Sequence, residues 1–158
     1  MNAGDIRDFD PDLLMRLGHL VVRWGYLEEL IANLFVWTVD ADPSPMTVVT
    51  ANSGADKLAQ WARTVLDAAM DTSANAVEAR DLLSQFDRVR IRRNPYVHGI
   101  WALTDTPGVY RVQTARLEWR GIIKEITVTT ADVDSLIGEV LDLAIKLHHF
   151  LTRIGVRV

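Results

Sequence analysis

Leu13, Leu17, Leu20, Trp24, Leu27, Ile31, Leu34 and Thr38 recur every three or four residues, which puts them on one face of an α-helix. Asp10-Pro11 announces its start, with Asp as N-cap and Pro at the first helical position. A helix is predicted to run from there to about Val39. Tyr26, Leu30 and Trp37 form a second stripe on the same helix. That stripe needs a further partner, either another helix of the chain or a second subunit. Asp42-Pro43-Ser44-Pro45 reads as a break. A second helix is predicted from about Ser53 to Met70, with Leu58, Trp61, Ala62, Val65 and Leu66 inward.

After the turn Asp71-Thr72-Ser73, a third helix is predicted from Ala74 to Arg93. Leu82, Leu83, Phe86, Val89 and Val97 share one face if the helical phase is kept, and Arg90 and Arg93 fall on it too, while Ile91 does not. Arginines on an apolar stripe require acidic or phosphate partners. Pro95 lacks a backbone donor and disfavours helical geometry at Asn94, so the helix is expected to end or kink there. Three β-like pieces follow: Ile100–Leu103, Val109–Gln113 and Ile122–Val128, with Asp105-Thr106-Pro107-Gly108 as the turn between the first two. A last helix from Thr130 to Ile154 is expected to bury Val133, Ile137, Val140, Leu141, Ala144, Ile145, His148 and Leu151. The pattern predicts one mainly α domain over residues 1–158, with a core of about 10–155. It is a four-helix bundle with a small antiparallel β-hairpin or flap, about 100–128, inserted before the last helix.

Composition adds limits. With 158 residues and 49% apolar side chains, the chain can build a proper core. It has no cysteine, which excludes disulfides and cysteine-bound zinc. The polar, acidic start Met1-Asn2-Ala3-Gly4-Asp5 lacks the basic and apolar regions of a signal peptide. Arg23, Glu28 and Glu29 interrupt the longest apolar run, so no membrane span is expected. These features fit a cytoplasmic protein without a membrane partner.

The net charge of −4 argues against a general nucleic-acid coat, but its distribution is uneven. Residues 1–78 carry 5 basic and 12 acidic groups, whereas residues 79–124 carry 9 basic and 4 acidic. The middle of the chain is a basic zone suited to an anionic ligand. The alternative is that its arginines pair with the acidic first helix.

At the centre of that zone stands Arg93-Asn94-Pro95-Tyr96-Val97-His98-Gly99. A guanidinium can hold a phosphate through its planar fork, and an imidazole can move a proton near neutral pH. Glu28, near the edge of the first helix's main stripe, is the expected acid partner of Arg90 or Arg93. Tyr96 can stack on a base or pack in the core. Asn94 can contact the ligand or cap the helix end. Gly99 is expected to allow a backbone angle that other residues resist. His98 and Arg93 each have a plain structural alternative, as a satisfied histidine and a paired arginine. His19 is expected in solvent, His148 packed and His149 facing away. Neighbouring His148 and His149 lack the spacing of a helical zinc pair, and no metal or cofactor is expected.

Four helices with Arg93, Asn94 and His98 in this order near the end of a long central helix resemble the HEPN superfamily. Its members are all-α bundles marked by an Arg, a polar residue just after it, and a His four to six residues beyond. The long first helix with Glu28, and Trp101 opening the hairpin, are similar too. The resemblance covers about residues 10–155. It implies a metal-independent endoribonuclease that works as a homodimer, with two motifs sharing one cleft. Arg93 would hold the scissile phosphate, His98 would act as base or acid, and Asn94 would bind phosphate or fix the ring. Arg90, Tyr96 and Glu28 would bind substrate or orient these groups. It further implies RNA as substrate, and an antitoxin or other protein partner in toxin–antitoxin or phage-defence systems. The superfamily also contains catalytically inactive binding modules, which keeps that function as the alternative.

Overall fold

The structure is a computed structural model and describes residues 9–41, 43–115 and 123–157. The element order is α1 (Pro11–Thr38), α2 (Pro43–Ala51), α3 (Ala55–Ala68), α4 (Ala74–His98), β1 (Ile100–Leu103), β2 (Val109–Ala115), β3 (Ile123–Thr129) and α5 (Thr130–Arg153). The protein is mainly helical with a small antiparallel sheet, as the hydrophobic pattern predicts.

Local chemistry explains most of the boundaries. Asp10 caps α1: its Oδ1 accepts from the Asp12 N–H at 2.9 Å, and its carbonyl accepts from the Leu14 N–H at 3.2 Å. Asp71 and Ser73 cap α4, with the Ala76 N–H donating to Ser73 Oγ at 3.2 Å and the Ser73 N–H to Asp71 Oδ1 at 2.8 Å. A reciprocal box opens α5. The Thr129 N–H donates to Asp132 Oδ2 at 2.8 Å, and the Asp132 N–H to Thr129 Oγ1 at 3.3 Å. In the sheet, β1 pairs β2 and β2 pairs β3, all antiparallel, with Trp101 opposite Val112 and Val112 opposite Ile126. Gly108 takes φ +74° in the turn between β1 and β2, a conformation that suits glycine.

Two expectations about the helices are corrected. The described residues hold five helices, not four, because Pro43–Ala51 is helical instead of a break. Pro43 is the first residue of α2, a position where a missing N–H costs no intrahelical bond. Pro95 likewise does not end the third helix at Arg93. α4 continues to His98 with Pro95 inside it. The residue removes one bond, to the Ile91 carbonyl, and the ladder resumes when the Gly99 N–H donates to the Pro95 carbonyl at 2.9 Å. Ile122, assigned from sequence to the third strand, lies outside the described residues.

Contacts divide the chain into two compact units. The first unit comprises the chain up to Arg23 together with Val89–Glu139. Its core joins Leu13, Tyr110, Val112, Val128 and Val133, with Phe9, Leu17, Tyr96, Trp101, Ile126 and Ile137 packed against them. Phe9 stacks on Tyr110 at 6.2 Å, and Trp101 meets both Tyr96 and Tyr110 edge-on at 6.0 Å. Arg16 Nε donates to Asp134 at 2.9 Å, and Arg92 pairs with Glu139.

The second unit comprises Trp24–Arg88 and Val140–Val158. Trp24 stacks on Phe86 at 5.4 Å, and Phe35 meets Trp61 at 5.8 Å. Leu30 is fully buried, Trp37 packs edge-on against Phe150 at 5.5 Å, and Tyr26 Oη lies 2.9 Å from His148 Nδ1. The second stripe of α1 thus finds partners within the chain. On the part of α5 in this unit the buried side chains are Val140, Leu143, Ala144, Leu147, Phe150 and Leu151, whereas Ile145 is 52% exposed, contrary to expectation. No helix among the described residues is long and apolar enough to cross a membrane.

Candidate functional site

The last turn of α4 and the first residues of β1 form the site. Asn94 and His98 stand four residues apart and share a helical face. Arg93, one residue earlier, reaches round with its long stem, and its Nη1 lies 3.1 Å from His98 Nε2. A guanidinium has only donors, so Nε2 must accept. This assigns the ring proton to Nδ1. His98 is exposed, while Arg93 and Asn94 are half-buried. The Nε atoms of both Arg90 and Arg93 are buried, in keeping with their place on the inward side of the helix.

The helix end is held from the strand side. Trp101 Nε1 donates to the Tyr96 carbonyl at 2.9 Å and thereby satisfies one of the last carbonyls of α4. Gly99 has a different reason from the one expected: its backbone does not occupy the left-handed region. Instead, a Cβ there would overlap the Pro95 carbonyl oxygen and Val112 Cγ1 and lie 3.2 Å from the Gln113 carbonyl oxygen. Only a residue without a side chain lets β2 close against the end of α4. No sequence pattern signals that contact, because Val112 and Gln113 are distant in the chain.

Tyr96 is half-buried and belongs to the first unit's core through Trp101. Burial pushes its hydroxyl pKa up, and the nearby Asp132 carboxylate adds to this. Its neighbour Arg92 is committed to Glu139. Beside this turn runs an apolar groove of about 680 Å³, lined by Leu14, Gly18, Val21 and Val22 of α1 and by Tyr96, Val97 and Trp101. Val22 is 74% exposed on its rim.

Glu28 falls in the second unit, where it is exposed, and its carboxylate accepts from Trp24 Nε1 at 2.8 Å. Its place on α1 therefore carries no cost of burying a bare charge, the premise on which an arginine partner was expected. The Trp24 indole four residues earlier was not foreseen, although the spacing alone permits it. His19 and His149 are exposed, as expected. His148 is half-buried and bonded to Tyr26. Among the described residues, no group of three or more His, Asp or Glu side chains is placed to hold a metal ion.

Chemically, the turn offers one arginine fork, one imidazole beside it, and one amide four residues before the imidazole. Such a set can hold an oxyanion and exchange a proton beside it. No family model, curated protein or solved structure matches the chain.

Proposed function

We propose that the chain is a HEPN-type endoribonuclease that cuts RNA through its own 2′-hydroxyl without a bound metal. In this reading the 2′-oxygen attacks phosphorus and gives up its proton to His98. The bond to the 5′-oxygen breaks, and that oxygen takes a proton and leaves as a hydroxyl. The products are a 2′,3′-cyclic phosphate and a 5′-hydroxyl end. Arg93 stabilises the charge that grows on the phosphate oxygens, and Asn94 steadies the phosphate or the ring. DNA has no 2′-hydroxyl and resists this route. Two copies of the chain bring two such turns to one cleft, and a toxin–antitoxin or phage-defence role follows from the same resemblance. Arg90 and Tyr96 are assigned substrate-binding or orienting roles.

The observation that carries the reading is the meeting of Arg93 and His98 at 3.1 Å on an accessible helix end. The test is RNA cleavage in EDTA by wild type, Arg93→Ala and His98→Ala, each first shown to be folded. Cleavage by wild type alone, leaving cyclic-phosphate ends, supports the reading. Equal cleavage by all three proteins, or none, rejects it.

A second reading, an inactive HEPN-like binding module, is favoured by one specific observation. The apolar groove adjoins the motif through Tyr96 and Val97 and keeps large apolar side chains such as Val22 in water. Exposed apolar surface of that kind marks contact sites more often than catalytic ones.

A further inference from the structure

A cavity of about 500 Å³ lies wholly within the unit of Trp24–Arg88 and Val140–Val158. That size is usual for a small-molecule site. The end of α1, one side of α2 and the turn after α5 enclose it. Its described wall is amphipathic. Val36, Trp37 and Val156 are half-buried and supply the apolar part, and Asn33 adds an amide. Asp40 and Arg157 are exposed and supply one charge of each sign.

The ends of two helices bring these charges together. α1 ends at Thr38, and Asp40 turns the chain with φ +48°, its N–H donating to the Trp37 carbonyl at 3.1 Å. Aspartate is one of the few residues that tolerate this left-handed region. α5 ends at Arg153, and Gly155 turns the chain with φ +83°. The Gly155 N–H donates to the Thr152 carbonyl at 3.1 Å and the Val156 N–H to the Leu151 carbonyl at 2.9 Å, the bonds that close a helix on a left-handed glycine. Arg157 follows two residues later and lines the same cavity as Asp40.

The two charges are not used on each other. Asp40 and Arg157 form no ion pair, and neither side chain has a partner among the described residues. A carboxylate attracts an ammonium, and a guanidinium fork holds a carboxylate. The C-terminal ends of α1 and α5 carry partial negative charge, which adds to the attraction for an ammonium. An ammonium alone would leave Arg157 without a role, and a carboxylate alone would face Asp40 and the negative helix ends. A ligand with both groups on one small apolar body matches the whole lining.

We propose that this cavity binds a free α-amino acid with a large apolar side chain. Its carboxylate sits on Arg157, its ammonium on Asp40, and its side chain against Val36 and Trp37. The site shares no residue with the end of α4, so it stands whether or not the chain cuts RNA.

The experiment uses the full chain with ¹⁵N-labelled tryptophan, at low ionic strength, where exposed charges are least screened. The probes are L-leucine, L-leucinamide, which lacks the carboxylate, isocaproate, which lacks the ammonium, and glycine, which lacks the side chain. Calorimetry measures each affinity. The Trp37 indole signal, assigned as the one missing from Trp37→Phe, locates the binding. L-leucine is expected to bind and to shift that signal. It should bind tighter than either one-charge analogue by about fivefold, the upper end of what an exposed ion pair contributes. Glycine should bind more weakly as well. Asp40→Asn, whose side chain tolerates the same backbone angle, should bind L-leucine no better than isocaproate. Arg157→Gln should bind L-leucine no better than L-leucinamide.

No binding of L-leucine at millimolar concentration overturns the proposal, and so does binding that leaves the Trp37 signal unmoved. L-leucinamide as tight as L-leucine overturns it in favour of a site for cations, and isocaproate as tight as L-leucine in favour of a site for anions. Glycine as tight as L-leucine removes the apolar wall from the argument and overturns the ligand class. Folded variants that keep the wild-type order of probes overturn the roles of Asp40 and Arg157. Where either variant fails to fold, the four probes on wild type decide alone.

Discussion

Arg93 Nη1 lies 3.1 Å from His98 Nε2 although the two residues are five apart, a spacing that puts them on different helical faces. The contact depends on the length of the arginine stem and on the planar fork at its end. Lysine would keep the charge but offers a compact point charge with no fork. Arg93→Lys is therefore expected to lose most of the ribonuclease activity proposed above, by about 10²-fold or more, the cost of losing one preorganised charge-stabilising donor. His98→Ala should lose about 10²–10⁴-fold, the usual contribution of a proton-transfer group. Initial rates on a fluorescent RNA in EDTA measure both. A lysine variant as fast as wild type would show that the fork has no part in the reaction.

Gly99 is where a small change should cost most. A methyl group there meets the Pro95 carbonyl and Val112 Cγ1 at once, and the former is backbone that cannot rotate away. Overpacking of this kind typically costs about 1–3 kcal/mol. Gly99→Ala should lower the urea midpoint accordingly, with no change in the slope of the transition. A midpoint equal to wild type would mean that the helix end and β2 separate easily.

The start of α1 and the β flap could be read from the chain because each is set by neighbouring residues. Asp10-Pro11 caps one, and Asp105-Thr106-Pro107-Gly108 turns the other. Where proline reads as a helix end, the same local logic misplaces the boundary. Pro43 sits in a first turn, where helices tolerate it, and Pro95 stands close enough to the end of α4 that only one bond is lost. In α5 apolar residues occur on more than one face. Two phases fit the pattern, and Leu136, Leu143 and Leu147 turned inward while Ile145 turned out. For the site, the order Arg93, Asn94, His98 was visible in the sequence. The contact between the first and last of them, and the close approach of Val112 to Gly99, depend on side-chain reach and strand register, which no local pattern encodes.

Asp132 ties the sheet to α5 and should give the fold a dependence on acid. Its carboxylate accepts from the Thr129 hydroxyl at 2.7 Å and from the Thr129 N–H at 2.8 Å, and these bonds hold its pKa below the ordinary aspartate value. A carboxylate whose folded pKa is depressed stabilises the fold above its unfolded pKa of about 3.9. That contribution is lost as pH falls through the folded value. Asp132→Ala should cost about 1 kcal/mol near neutral pH, the usual cost of a lost cap. The difference between the two proteins should shrink as the pH drops below about 4. Urea midpoints across pH 3–7 test this, and a constant difference at every pH would separate the loss from the charge.

Gly18 offers the opposite case to Gly99. It lies in the interior of α1 with an ordinary helical backbone, and a Cβ there would have nothing within 4 Å. Glycine in mid-helix costs about 0.5–1 kcal/mol relative to alanine, because it gives up more freedom on folding. Gly18→Ala should therefore stabilise the chain by that amount and raise the melting temperature by about 1–4 °C. Gly25, also in α1 and also open, should behave alike. Gly18 differs from Gly25 in lining the apolar groove beside Tyr96 and Val97. Gly18→Leu would fill the groove without touching Arg93 or His98. If the protein acts as a binding module through that groove, Gly18→Leu should abolish partner capture while Gly25→Ala leaves it intact. If it acts as a ribonuclease through the helix end, both variants should cut RNA as wild type does. A destabilised Gly18→Ala would mean that the groove is filled in solution by something that needs the bare backbone at this position.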